Sequence, residues 1–207
     1  MTDWDIMLTA RPYTMTSGTN LLATIAAVKA PVQGDFVECG VWRGGHVIAA
    51  LLSATQPRTY WLFDTFDGMT EPGPHDIRRG SHARETTAYR KRGPQQWCRA
   101  ELEEVQTNID QYRRPDQAVR YVQGPVEHTL PATDLPEEIA VLRLDTDFYS
   151  STLAELEHLW PRVVPGGTII VDDYYSWDGC RRACHEYFGE HAPWQHIDGP
   201  AVRMVRT

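Results

Sequence analysis

Acids gather at the ends of two short stretches of this chain. Leu142-Arg143-Leu144-Asp145-Thr146-Asp147 and Val171-Asp172-Asp173-Tyr174-Tyr175 each run from apolar residues straight into carboxylates. An apolar run that stops abruptly on acids is the pattern of a buried strand delivering carboxylates to a sheet edge. Asp145 and Asp147, two positions apart, share one face of such a strand. Carboxylates crowded at one point repel one another and must be neutralised by protons, bases or a metal ion. With only oxygen donors on offer, a hard divalent cation such as Mg²⁺ is the natural partner. The structural alternative is that an Asp at a strand end caps the turn or helix that follows, and Asp147 precedes a helix-like run.

A second constellation lies nearer the start. Phe36-Val37-Glu38-Cys39 runs into Gly40-Val41-Trp42-Arg43-Gly44-Gly45, a glycine-rich turn whose missing side chains let the backbone approach a ligand. The spacing differs from the Gly-x-Gly-x-x-Gly of dinucleotide folds, and Glu38 would repel a pyrophosphate. A ligand with a positive group, such as the amino acid part of S-adenosylmethionine, suits the turn better, and a plain tight turn is the alternative. Asp64 ends the run Tyr60-Trp61-Leu62-Phe63, where an acid can accept hydrogen bonds from ribose hydroxyls.

These residues need a scaffold that brings strand ends together. A helix-like run from Ser151 to Trp160 and the turn Val163-Val164-Pro165-Gly166-Gly167 separate the two acid-bearing strands, which makes a βαβ unit with parallel strands. In open α/β sheets ligands lie in the crevice outside the C-terminal strand ends. Other helices are expected from the N-cap Ser17 through Val28, from His46 to about Ser53, over Gln95 to Tyr112, and from about Asp178 to Phe188. Ala118-Val119-Arg120-Tyr121-Val122 reads as a third strand, and the helix start after Gln123-Gly124-Pro125-Val126-Glu127 would border an adenine pocket. Two closing strands, Trp194 to Ile197 and Val202 to Val205, flank Asp198-Gly199-Pro200 as an antiparallel hairpin. The polar tract from Thr70 to Pro94, with two histidines and six arginines and lysines, reads as a mobile active-site loop or a plain surface excursion.

Length and charge bound the rest. At 207 residues one domain with a substantial core is expected over 1–207, with 1–30 as a lid or flanking helix and 70–94 as an active-site loop. A formal charge of -8 without a basic run argues against nucleic acid. No apolar run approaches the roughly 20 residues that span a bilayer, and Asp3 and Asp5 stand where a signal peptide needs bases, so a cytoplasmic location without a membrane partner is expected. Of the four cysteines, Cys180 and Cys184 share a helix face beside His185. A second ligand pair at zinc spacing is missing, and half-buried helix cysteines are the simpler reading.

Taken in order, Phe36 to Gly45, Asp64-Thr65-Phe66-Asp67-Gly68-Met69, Leu144-Asp145-Thr146-Asp147-Phe148-Tyr149 and Gly166 to Tyr174 resemble the macrocin O-methyltransferase family. The resemblance runs from about Tyr13 to Phe188. It implies a class I methyltransferase fold, Rossmann-like, with a mostly parallel seven-stranded sheet. It also implies S-adenosylmethionine as methyl donor, Mg²⁺, and hydroxyl acceptors that are chiefly sugars of natural products of the antibiotic type. By resemblance Asp145, Asp172 and Asp173 are metal ligands and Asp147 is the general base. Glu38, Gly40, Gly44 and Asp64 match cofactor-binding positions, Thr14-Met15 matches a segment closing over the cofactor, and Thr65, Gly124, Val126 and Asp145 complete that set. The family precedent favours a homo-oligomer. The short arm before Tyr13 and the tract from Thr70 to Pro94 depart from the pattern. Both would shape the acceptor pocket, so the acceptor stays open. Rival readings are a methyltransferase for a non-sugar hydroxyl, a nicotinamide oxidoreductase and a noncatalytic S-adenosylmethionine-binding protein.

Overall fold

The computed structural model describes every residue except Arg79, which falls within the 70–94 tract, and only the backbone of Thr87, Ala88 and Arg92. Nine strands and eight α-helices are seen among the described residues. The strands are β1 Asp35–Cys39, β2 Thr59–Asp64, β3 Ile77–Arg78, β4 Ser81–His82, β5 Ala118–Gln123, β6 Ile139–Leu144, β7 Val163–Val171, β8 Gln195–Asp198 and β9 Ala201–Val205. The helices are α1 Asp3–Ala10, α2 Gly18–Lys29, α3 Gly45–Ser53, α4 Thr87–Arg92, α5 Leu102–Asp110, α6 Val126–Thr129, α7 Tyr149–Leu159 and α8 Asp178–Phe188.

Seven strands form one sheet in the order β5-β2-β1-β6-β7-β9-β8. The pairings from β5 to β7 are parallel, while β9 runs antiparallel to both β7 and β8. The sheet is therefore the expected class I arrangement, closed by the expected hairpin. Alternate residues of each central strand point to opposite faces, and both faces are apolar, as a doubly covered sheet requires. Phe36, Tyr60, Leu62 and Val141 face Ile6, Leu21, Ile25, Ile48 and Ile109 from α1, α2, α3 and α5. Val37, Phe63, Leu142 and Val171 face Val126, Leu156, Leu159 and Cys184 from α6, α7 and α8. The order reverses between β1 and β6, whose turns leave the sheet in opposite directions and open a crevice there.

Three expectations about elements need correction. The arm before Tyr13 holds a helix, α1, which Thr2 and Asp5 start with a reciprocal capping box. Gln95 to Tyr112 is helical only over α5; Pro94–Gln96 is one 3₁₀ turn and Trp97 has an extended backbone. Charge-rich composition resembles helix here, but Trp97, Cys98 and Ala100 are drawn to the core instead. The 70–94 tract is not structureless either. It carries the β3–β4 hairpin and α4, and its base is pinched shut where the Met69 amide donates to the carbonyls of Pro94 and Trp97.

Candidate active site

The C-terminal edge of the parallel strands is stitched across by backbone hydrogen bonds. The Gly40 amide donates to the carbonyl of Phe63, Gly124 to Asp64, Asp145 to Cys39 and Asp172 to Leu144, at 2.8–3.0 Å. Each site-bearing turn is thus tied to the last or next-to-last residue of a neighbouring strand. Gly40 sits at φ 80°, and a Cβ there would fall 2.1 Å from the Asp145 carbonyl oxygen. Trp42, Phe66 and Asp147, all non-glycine, also take positive φ as they leave β1, β2 and β6. Strained backbone gathered at one edge marks turns that the rest of the fold over-determines.

A cavity of about 400 Å³ opens on this edge. It is lined by Thr14, Met15, Glu38, Gly40, Asp64, Thr65, Gly124, Val126, Asp145, Asp147, Asp172 and Asp173, so twelve of the thirteen residues singled out from sequence meet there. Gly44 does not. It is the N-cap of α3 at φ 91°, and a Cβ there would press on Ile109 of α5, so its place is in packing behind the turn.

Asp64 is committed to its own chain. One carboxylate oxygen accepts from the Val41 and Trp42 amides at 2.6 and 3.1 Å, and the other from Phe66 N–H at 2.8 Å and the Thr65 hydroxyl at 3.4 Å. Burial raises its carboxyl above the usual range, and these donors pull it back. The acid therefore moulds the glycine turn, whatever ligand it also meets.

Under the acids lies a residue that sequence reading passed over. Arg143 is fully buried in β6, and its guanidinium donates to Glu38 at 3.0 Å, to Asp145 at 2.7 Å and to Asp172 at 3.1 and 3.2 Å. Its signal was visible as a single base inside an apolar run, Leu142-Arg143-Leu144. Burial opposes its charge, but Asp145, Asp172 and Glu38 outweigh that and raise its pKa. Glu38 is pushed up to about 8 by burial, against the pull of Arg143, and its second oxygen is buried without a partner.

Carboxylate oxygens of Asp145, Asp147 and Asp173 lie within 4.8 Å of one another. Burial raises all three, Asp147 to about 6, and the neighbouring carboxylates add to the rise of Asp145 and Asp173. Asp172, part of the set the family resemblance implies, is held to one side: one of its oxygens takes Arg143 and the Asn20 amide at 3.3 Å. The all-oxygen donor set fits a hard divalent cation. The capping role open to Asp147 belongs to Asp76, whose carboxylate accepts from Tyr149 N–H at 2.8 Å from within the 70–94 tract.

The rest of the cavity lining comes from other residues. Met69, Thr70, Arg78, Trp97, Cys98, Ser176, Trp177 and the Asp198-Gly199-Pro200 turn supply it. Trp177 packs edge-on against Phe148 at 5.4 Å and tilts against Trp97 at 6.0 Å, and the Arg78 guanidinium lies 5.4 Å from its ring centre. Away from the cavity, Cys180 and Cys184 are fully buried free thiols, and His185 bonds the Tyr174 hydroxyl at 2.7 Å. No helix among the described residues is long and apolar enough to cross a membrane.

Comparison with known proteins places this geometry. Residues 6–206 match the family profile described as macrocin-O-methyltransferase (TylF). An 8-demethyl-8-(2,3-dimethoxy-alpha-L-rhamnosyl)-tetracenomycin-C 4'-O-methyltransferase of Streptomyces olivaceus is 41% identical over 85% of this chain and 67% of its own. The mycinamicin III 3''-O-methyltransferase of Micromonospora griseorubida is 36% identical over 80% of this chain and 65% of its own. This chain thus spans about two thirds of the length of those relatives. Among solved structures, the O-methyltransferase NovP superposes with a TM-score of 0.77 at 34% identity, covering 94% of this chain and 82% of that one. A match over nearly the whole length, with the acid-bearing strand ends inside it, makes this chain a member of the macrocin O-methyltransferase family.

Proposed function

We propose that this protein transfers the methyl group of S-adenosylmethionine to a hydroxyl on a sugar of a small natural product, with Mg²⁺ held at the carboxylates. The carrying observation is that one cavity holds both the Glu38, Gly40 and Asp64 cradle and the Asp145, Asp147 and Asp173 cluster. The relatives named for a rhamnosyl-tetracenomycin and for mycinamicin III support a glycosylated acceptor.

The residues present suit each group. S-adenosylmethionine supplies a methyl on a sulfonium, and its ammonium group suits the unpartnered Glu38 oxygen at the cavity wall. Gly40 and Gly124 put no side chain on the lining, which leaves room for a nucleoside, and Val126, Thr14 and Met15 line the same cavity. A divalent cation at Asp145, Asp172 and Asp173 supplies positive charge that makes a nearby hydroxyl more acidic. Arg143 fixes one oxygen of Asp145 and one of Asp172, leaving the other oxygen of each unclaimed by it.

An alcohol is a poor nucleophile at neutral pH, so its proton must leave as it attacks. Asp147 is the proposed base. Its carboxyl, raised to about 6, is mostly ionised at neutral pH yet basic enough to accept a proton. The grouping of Asp147 with Asp145 and Asp173 favours a second reading in which Asp147 is a ligand and Asp172 is not. The overall assignment is tested by incubation with S-adenosylmethionine, Mg²⁺ and a panel of rhamnosylated natural products. Mass spectrometry should find one added methyl. Calorimetric preference for NAD over S-adenosylhomocysteine would overturn the assignment.

A further inference from the structure

His46 is the second residue of α3 and is fully buried, yet it belongs to the cavity wall. Both ring nitrogens are taken by hydroxyls at 2.8 Å: Nδ1 by Thr24 of α2, and Nε2 by Thr16. Hydroxyls can donate or accept, so either neutral tautomer is satisfied. Burial, with the charge of Arg143, holds the imidazole pKa well below its usual value.

The two partners differ in kind. Thr24 lies inside a packed helix, where its hydroxyl also reaches the Asn20 carbonyl. Thr16 lies in the short link between the 3₁₀ turn Arg11–Tyr13 and α2, and Thr14, Met15, Thr16 and Ser17 of that link all line the cavity. The link crosses α3 with no clearance. A Cβ on Gly45 would meet Thr14 Cβ at 2.7 Å and the Tyr13 carbonyl at 2.9 Å. Thr14 in turn bonds Thr16 through both its hydroxyl and the Thr16 amide at 3.2 Å. Met15 stands out 61% exposed and Ser17 caps α2, so the link's side-chain contacts with α3 run through Thr14 and Thr16.

We propose that His46 is a positioning residue that fastens residues 14–17 as a strap across the cavity, through Thr16, and so sets how long the cofactor stays bound. The inference rests on the cavity being the S-adenosylmethionine site. With the Thr16 hydroxyl removed, the strap loses one hydrogen bond and leaves a buried ring nitrogen unpaired. Both effects favour the open strap, which exposes that nitrogen to water.

The test measures release of S-adenosylhomocysteine by stopped-flow fluorescence, with hydrogen exchange over residues 11–17, in full-length variants. Thr16→Val should release the ligand about five- to tenfold faster, the equivalent of one lost hydrogen bond. Exchange across the strap should rise with it, and Thr16→Ser should restore both. Thr24→Val strands the other nitrogen inside the helix layer. It should lower the melting temperature while release stays near the wild-type rate. Thr16→Val with wild-type release and strap exchange would sink the proposal, as would Thr24→Val speeding release as much as Thr16→Val. If the wild-type protein binds no S-adenosylhomocysteine, it is the reading of the cavity that fails instead.

Discussion

The two walls of the cavity are built by different means. One is made of strand ends: the turns after β1, β2, β5, β6 and β7, cross-bonded at 2.8–3.0 Å and carrying Glu38, Asp64, Asp145 and Asp172. The other is made of a 3₁₀- and hairpin-bearing excursion with two distant turns, held by aromatic contacts among Trp97, Phe148 and Trp177. Strand ends are positioned by the whole sheet, so their side chains can be placed closely enough to handle a methyl and a proton. An excursion outside the sheet, tied to the body at its base and through Asp76 and Arg78, can vary its remaining surface without disturbing the sheet. The contrast suggests a division of labour, with chemistry on the strand-end wall and acceptor choice on the other.

Substitutions on each wall should therefore fail in different ways. The largest effect is expected at Asp147. Asp147→Asn keeps shape but cannot take a proton, so turnover should fall by roughly 10²–10⁴ while Mg²⁺ affinity, measured by calorimetry, persists. Loss of metal affinity would instead make Asp147 a ligand, whereas Asp145→Ala should weaken Mg²⁺ and recover partly in excess metal. Next comes Arg143→Met, which leaves Glu38, Asp145 and Asp172 without their shared base. Denaturant unfolding should show a loss of about 3–5 kcal/mol, the scale for stranding buried charge. Asp64→Ala should weaken S-adenosylhomocysteine by about 1–3 kcal/mol, and unchanged binding would remove Asp64 from the site. The smallest effect belongs to the opposite wall. Arg78→Ala should raise the acceptor KM by roughly fivefold, about 1 kcal/mol, and leave cofactor affinity as it was. An Arg78 variant that loses cofactor affinity would break the division.

The strand-end wall was also the legible one. Its strands announce themselves as apolar runs that end on acids, and register in a parallel sheet then brings those ends together without further information. What escaped were the side-chain partners set across long sequence separation. Asp76 caps a helix 73 positions later, and nothing around Gly73 to Ile77 says so. Arg143 could be seen but not interpreted, because two of its three carboxylate partners, Glu38 and Asp172, come from the neighbouring strand β1 and from just past the end of the neighbouring strand β7. His46 looked like an ordinary residue at the start of a helix until Thr16 and Thr24 closed on it. The missed helix α1 is a different failure, since the Thr2-x-x-Asp5 pattern was present and local.

The close approach of Gly40 to the Asp145 carbonyl has a thermodynamic consequence. The turn that would cradle the cofactor and the residue that would hold the metal touch through backbone with no slack, so neither can shift alone. Two ligands that bias one shared backbone arrangement are linked, and linkage in binding free energy is reciprocal. With both ligands bound as proposed, whatever factor Mg²⁺ lent to the affinity for S-adenosylmethionine, S-adenosylmethionine would have to return to Mg²⁺.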